Sequence, residues 1–171
     1  MSEFLELAKK RFSCRKFKDT PVERDKLEKI LEAGIIAPTA KNSQPFKIWV
    51  FESEEALSKV RKITPCHFNA PVIIAVGGDS EEAFTRPFDE RNFEDVDASI
   101  IATHIMLEIQ DIGLGSTWVG FFDEPELKKL FPEMNGYDIV ALFPVGYPAD
   151  DAAPTERHFT KKAFDELVSF K

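Results

Sequence analysis

The chain is poor in cysteine: Cys14 and Cys66 are its only two. Two such thiols make neither a disulfide framework nor a metal-ligand spacing, and they favour a reducing cytoplasm. Long apolar runs are missing too. No stretch approaches the ~20 consecutive apolar residues that a membrane helix needs, and the opening MSEFLELAKKRF has no apolar run of signal-peptide type. Positive charge is outnumbered, with 22 Lys and Arg against 30 Asp and Glu and a net charge of −8. A nucleic-acid binder draws most of its affinity from a basic field, so that class is disfavoured. The familiar glycine motifs are also absent. There is no G-x-G-x-x-G dinucleotide fingerprint, no G-x-x-x-x-G-K-[ST] phosphate loop and no G-x-S-x-G nucleophile elbow. His67, His104 and His158 show no metal-ligand spacing.

What is present is the pattern of a single globular domain over residues 1–171, with 43% hydrophobic and 30% charged residues. Ser2 can cap a helix running to about Arg11, with Phe4, Leu5, Ala8 and Phe12 as its apolar stripe. Thr20-Pro21 opens a second helix with Leu27, Ile30, Leu31, Gly34 and Ile35 on its apolar face, and Pro38 stops it. KIWVFES reads as a strand, and Ser53 caps a short helix after it. APVIIAVGG is a continuous apolar run with β-branched residues, expected as a strand buried on both faces. Residues 80–95 are polar and aromatic together, which suits a mobile connection or lid. VDASIIATHIMLEIQDIG is apolar almost all round and is expected as a central buried helix, with His104 a satisfied core or interface residue. STWVGFF reads as a short strand or extended loop, EPELKKLF as a short helix and DIVALFPVGYP as another buried strand. The tail from Thr155 begins extended and ends in a helix. Helices and strands alternate, so the class is α/β or α+β.

Two polar clusters stand out. In RFSCRKF, an extended chain would put Arg11, Ser13 and Arg15 on one face and send Phe12 and Cys14 into the core. Two guanidiniums and a hydroxyl suit a phosphate, because arginine offers planar paired donors. A solvated basic turn after a helix explains the same residues. In APTAKNSQPF, Asn42, Ser43 and Gln44 carry donors and acceptors fit for a heterocycle edge, although an ordinary helix-to-strand loop also favours them.

Taken together, the motifs R-x-S-x-R-x-F, A-P-T-A-K-N-S-Q-P-F, GLGSTWVGFF and PVGYPADDAAPTER resemble, in order along essentially the whole chain, those of the FMN-dependent nitroreductase family. The resemblance implies an α+β sandwich with a central mixed sheet flanked by helices, a long buried central helix and an intertwined homodimer. It implies that Arg11, Ser13, Arg15 and Arg157 hold FMN, with Arg157 on the phosphate and Arg15 stabilising the reduced ring. Pro38, Thr39, Ala40 and Asn42 would reach the flavin bound mainly by the other subunit. Trp118, Val119 and Gly120 would lie against the isoalloxazine ring and offer backbone N–H groups. Phe84 and Phe88, on the candidate lid, would meet the acceptor.

The implied activity is NAD(P)H-dependent reduction of nitroaromatics, quinones or flavins, by ping-pong hydride transfer through flavin N5. A same-fold flavoenzyme of another reaction, such as reductive dehalogenation or flavin breakdown, and a non-enzymatic flavin sensor are the alternatives. Lys41, Lys47, Arg86 and Arg91 are all candidates for the 2′-phosphate of NADPH. Cys66 and His67 either line the flavin pocket or pack under the next strand.

Overall fold

A computed structural model describes residues 2–171. Helix α1 spans Glu3–Lys10, and its cap is the expected one: Leu5 N–H donates to Ser2 Oγ. Helix α2 spans Arg24–Ile35. It starts later than Thr20-Pro21, because residues 18–23 are non-helical and Glu23 is the N-cap. Strand β1 covers Phe46–Phe51, helix α3 Glu54–Ile63 and strand β2 Val72–Gly78. Ser53 caps α3 through its Oγ, which accepts from Ala56 N–H. Helix α4 is Glu94–Asp111, β3 only Gly115–Ser116, α5 Glu124–Leu130 and β4 Asp138–Gly146. The tail holds two short helical turns, α6 at Glu156–Phe159 and α7 at Phe164–Leu167. It therefore begins in a helical turn and not extended.

The strands lie in the order β1-β2-β4-β3. Every ladder pairing is antiparallel, and the parallel element is a single bridge between Ser13 and Ser116. The expected mixed sheet is thus an antiparallel one with an isolated parallel contact at its β3 edge.

Strand alternation builds two cores. All seven residues of β2 are buried. Val72, Ile74 and Val76 face a layer with Leu27 and Ile30 of α2 and Ala98, Ile101, Ala102, Ile105 and Ile109 of α4. Ile73 and Ala75 face the opposite layer, with Leu57, Val60 and Ile63 of α3 and Leu127 of α5. On β4, Ala141, Phe143 and Val145 join the first layer and Leu142 the second. A register shift opposite Val76/Gly77 lets Val140 and Ala141 both reach the α4 layer. Helix α4 is the central buried helix the sequence predicts. It crosses α2 closely at Gly34, where an added Cβ would lie 2.9 Å from Ile105 Cγ1.

Two apolar expectations fail. Ile35 is 59% exposed, because α2 turns that side away from α4. Helix α1 buries nothing fully, and its Phe4 is 64% exposed. Among the described residues, no helix is long and apolar enough to cross a membrane.

Candidate functional site

The segment after α1 runs along the β3 edge of the sheet. Cys14 N–H donates to the Ser116 carbonyl at 2.9 Å, and the Cys14 side chain is fully buried. Burial raises the Cys14 thiol pKa, against smaller opposing effects of a backbone hydrogen bond at Lys16 and the Arg15 charge. The residues on either side of Cys14 therefore point outward. Phe17 then bridges to Pro148, just after β4. The chain's two ends meet here, and the pairs Lys16–Asp151 and Lys18–Asp150 flank the junction.

Between those ends lies a cavity of about 240 Å³, lined by Arg11, Phe12, Ser13, Arg15, Pro154, Thr155, Arg157, His158 and Lys161. It brings together the four residues expected to grip a phosphate, drawn from opposite ends of the chain. Helical turn α6 supplies Arg157 and His158. Arg15 Nη1 donates to the Ser13 carbonyl at 3.2 Å, which steers the guanidinium across the same face. Three guanidiniums, an ammonium and two hydroxyls in one small cavity have the donor chemistry of a phosphate site. An adjoining, more open space is lined by Arg15, Thr155, Glu156 and Arg157. Phe12 is not in the core: it lines the cavity with the arginines. Thr155, His158 and Lys161 were missed in sequence, since the only local signal was a basic tail.

The other expected residues lie outside this cavity's lining. Pro38, Thr39, Ala40 and Asn42 belong to the turn between α2 and β1. Lys41, Asn42 and Gln44 all have left-handed backbone there, with φ of 56°, 54° and 54°. Thr39 Oγ1 accepts from Gln44 N–H at 3.0 Å, and Asp97 Oδ1 accepts from Ala40 N–H at 3.0 Å. Trp118 is 37% exposed and stands edge-on to Phe143, with ring centres 5.3 Å apart. Val119 is buried, and its N–H donates to the Leu142 carbonyl at 2.9 Å. That donor is already engaged within the fold, which leaves Trp118 and Gly120 as the exposed members of the segment.

Residues 80–93 are an ordered hairpin. Thr85 bridges Asn92, Arg86 N–H donates to the Arg91 carbonyl, and Phe93 N–H donates to Phe84. Phe84 packs on Phe93 and lies under Lys41 Nζ, 4.5 Å from the ring centre. The hairpin therefore touches the 38–44 turn at Lys41, while residues 41–44 stay exposed. Phe88 stands at its tip, 92% exposed. Of the four candidate phosphate cations, Lys41, Arg86 and Arg91 gather on the Phe84–Phe93 ring pair, with Arg86 also paired to Asp89, while Lys47 lies over Trp49 and Tyr137.

Cys66 and His67 sit in a 3-10 turn at Pro65–His67. Cys66 packs against the α3/α5 layer, and neither residue lines the arginine cavity. Burial, and then the Arg61 charge, lowers the His67 pKa, and its Nδ1 accepts from Asn69 N–H. A thiol assay on native protein should therefore titrate Cys66 readily and Cys14 only after unfolding. Rapid modification of Cys14 in the folded protein would contradict this burial. On α4, His104 Nδ1 lies 2.9 Å from the Ile100 carbonyl, so that nitrogen carries the proton. His104 also lines an apolar groove of about 500 Å³ with Val96, Ser99, Ile100 and Thr103. Among the described residues, no group of His, Cys, Asp or Glu could hold a metal ion.

Sheet order, the long α4 and the joined chain ends define a nitroreductase-like α+β fold, and the Nitroreductase family profile matches residues 8–66 and 60–147. The chain belongs to that family. A nitroreductase family protein from Clostridium difficile 630 superposes with a TM-score of 0.92 at 36% identity, covering 100% of this chain and 99% of that one. A relative from Methanothermobacter thermautotrophicus, named by inference as an NADH dehydrogenase/NAD(P)H nitroreductase, is 31% identical over 156 residues, covering 87% of this chain and 79% of its own length. A protein from Exiguobacterium sibiricum 255-15, solved in complex with FMN, shares the fold at a TM-score of 0.83 and 18% identity, covering 100% of this chain and 98% of that one.

Proposed function

We propose that the protein is an FMN-dependent NAD(P)H oxidoreductase that reduces nitroaromatics, quinones or related flat acceptors by a ping-pong route. The observation that carries this reading is the cavity joining Arg11, Ser13, Arg15 and Arg157. Its donor set fits a terminal phosphate, and family membership and the names of relatives support the rest. When bound, FMN supplies the hydride chemistry. The chain supplies binding, orientation and charge.

In this reading Arg157, Arg11 and Lys161 neutralise the phosphate. Ser13 adds a neutral donor. Arg15 places a fixed positive charge where the ring gains negative charge on reduction. Trp118 offers an exposed aromatic face at the ring's edge. The 38–44 turn serves the flavin of a second copy, consistent with its absence from its own molecule's arginine cavity. A homodimer is supported further by apolar side chains left largely exposed in the monomer, including Phe4, Ile36, Phe159 and Phe164. Phe84 and Phe88 would meet the acceptor from the hairpin.

Purified protein should be yellow, should release FMN on heating, and should bleach when NADH or NADPH is added without oxygen. A colourless protein, or released FAD, would end the cofactor assignment. A flavin spectrum that neither nucleotide bleaches would leave a flavin binder and remove the oxidoreductase.

A further inference from the structure

Asp97 lies in the first turn of α4, on the face pressed against the protein interior, and is 1% exposed. Its Oδ1 accepts the Ala40 N–H at 3.0 Å. Its Oδ2 has no hydrogen-bond partner among the described residues. A carboxylate buried with half its acceptor capacity unmet is expensive to keep. The helix N-terminus favours a negative charge there, but the neighbours Ala98, Ile101 and Ala102 are small or apolar core residues that leave Oδ2 unpartnered.

Above Asp97 sits the turn whose residues 41, 42 and 44 are left-handed although none is glycine. Such backbone is disfavoured for a residue with a Cβ and persists only where the surroundings impose it. Hydrogen bonds within the turn, such as Asn42 N–H to the Thr39 carbonyl and Ser43 N–H to the Ala40 carbonyl, do part of this, and the Phe46 N–H to the Gln44 carbonyl joins its end to β1. Thr39 Oγ1 also holds Gln44 N–H, Phe84 holds Lys41, and Asp97 holds Ala40. Of these, the Asp97 bond ties the turn to the buried helix α4. The Thr39 contact is internal to the turn, and the Phe84 contact reaches only the hairpin.

We propose that Asp97 is a positioning residue: its carboxylate, through the Ala40 N–H, fixes the strained 38–44 turn in the shape that meets the flavin. The flavin half of this statement rests on the proposed function; the turn half does not. Asp97 acts through Ala40 and is not itself a catalytic residue.

The test compares Asp97→Ala, Asp97→Asn and Leu127→Ala, the last a buried residue in the opposite layer. Asparagine keeps an acceptor oxygen for Ala40 N–H, and alanine does not. Hydrogen exchange of the peptide spanning residues 38–46 is measured on flavin-free protein, and the FMN dissociation constant by fluorescence quenching. Asp97→Ala should speed exchange in the turn at least tenfold and weaken FMN binding at least tenfold. Asp97→Asn should restore both to within about threefold, since its amide oxygen still accepts the Ala40 N–H. Leu127→Ala should lower the melting temperature and leave exchange in the turn unchanged.

Wild-type exchange in Asp97→Ala, an Asn variant as impaired as the Ala one, or equal turn exchange in Leu127→Ala would each overturn the proposal. If wild-type protein binds no flavin, the functional reading fails while the exchange result still judges the turn. If flavin binds wild-type and Asp97→Ala proteins equally, the functional reading stands and this inference falls.

Discussion

Arg157→Ala is expected to weaken FMN binding by about one to two orders of magnitude with little change in the flavin's midpoint potential, whereas Arg15→Ala should weaken binding and lower the potential. A hydrogen bond to a charged group is worth about 1.5–3 kcal/mol, and each 1.4 kcal/mol is about tenfold. Arg157 sits on α6 in the cavity, beside Thr155, His158 and Lys161, and its proposed partner there is the phosphate. That charge is the same before and after reduction, so losing Arg157 affects both redox states alike. Arg15 and Arg157 both line the cavity and the open space beside it, but Arg15 alone of the two leans across Ser13, on the segment that runs along the β3 edge. A cation there favours the state with more negative charge on the ring. Titration of flavin-free protein gives the affinities, and equilibration against a reference dye gives the potentials. Equal potential shifts in the two variants would remove the division of roles.

Gly115→Ala should be among the most damaging single-methyl changes in the chain. An added Cβ would lie 2.8 Å from Cys14 Cβ, 2.9 Å from its Sγ and 3.1 Å from Pro148 Cγ. Neither neighbour can yield easily. Cys14 is fixed by its backbone bond to Ser116, and Pro148 by its bridge to Phe17. Overpacking of this kind costs about 1–3 kcal/mol, or roughly 2–4 °C of melting temperature per kcal/mol for a chain of this size. Because Cys14 lies between Ser13 and Arg15, the same methyl should also spread the arginine set and weaken FMN binding. Gly120→Ala, where a Cβ meets nothing within 4 Å, is the thermal control. If Gly115→Ala melts with the wild type, the close contact between β3 and the arginine segment is not real.

The sequence carried local features well. Ser2 and Ser53 cap their helices because a hydroxyl before an amphipathic run satisfies an otherwise free N–H. The run VIIAVGG is buried throughout because helices cover both faces of its sheet. Alternation in RFSCRKF correctly placed Arg11, Ser13 and Arg15 together, but it sent Phe12 inward with Cys14. Phe12 sits at the end of α1, before the extended segment engages β3, so the period of two does not yet apply to it. The start of α2 was misread because a Thr-Pro pair resembles a helix opening, while here Pro21 belongs to the extended approach. Lys161 and Asp97 had no readable signal. One reaches the cavity only when the chain's far end folds back, and the other looks like a stray acid in an apolar helix. Nothing local marks the Val119 N–H as engaged either, since its acceptor, Leu142, comes from another strand.

The arginine cavity also has a mechanical meaning, because its two walls come from near the two ends of the chain. Those ends are joined by the Phe17–Pro148 bridge, with Lys18 N–H donating to the Tyr147 carbonyl and Ala149 N–H to the Lys16 carbonyl, and by exposed pairs such as Lys18–Asp150, which individually contribute little. A phosphate gripped by Arg11 and Arg157 would act as a removable staple closing a loop over most of the chain. It would stabilise the fold in proportion to the logarithm of ligand concentration over its dissociation constant. The flavin-loaded protein would then resist proteolysis at its tail, and the empty one would be the form a cell degrades, so the supply of flavin would set how much of the protein survives.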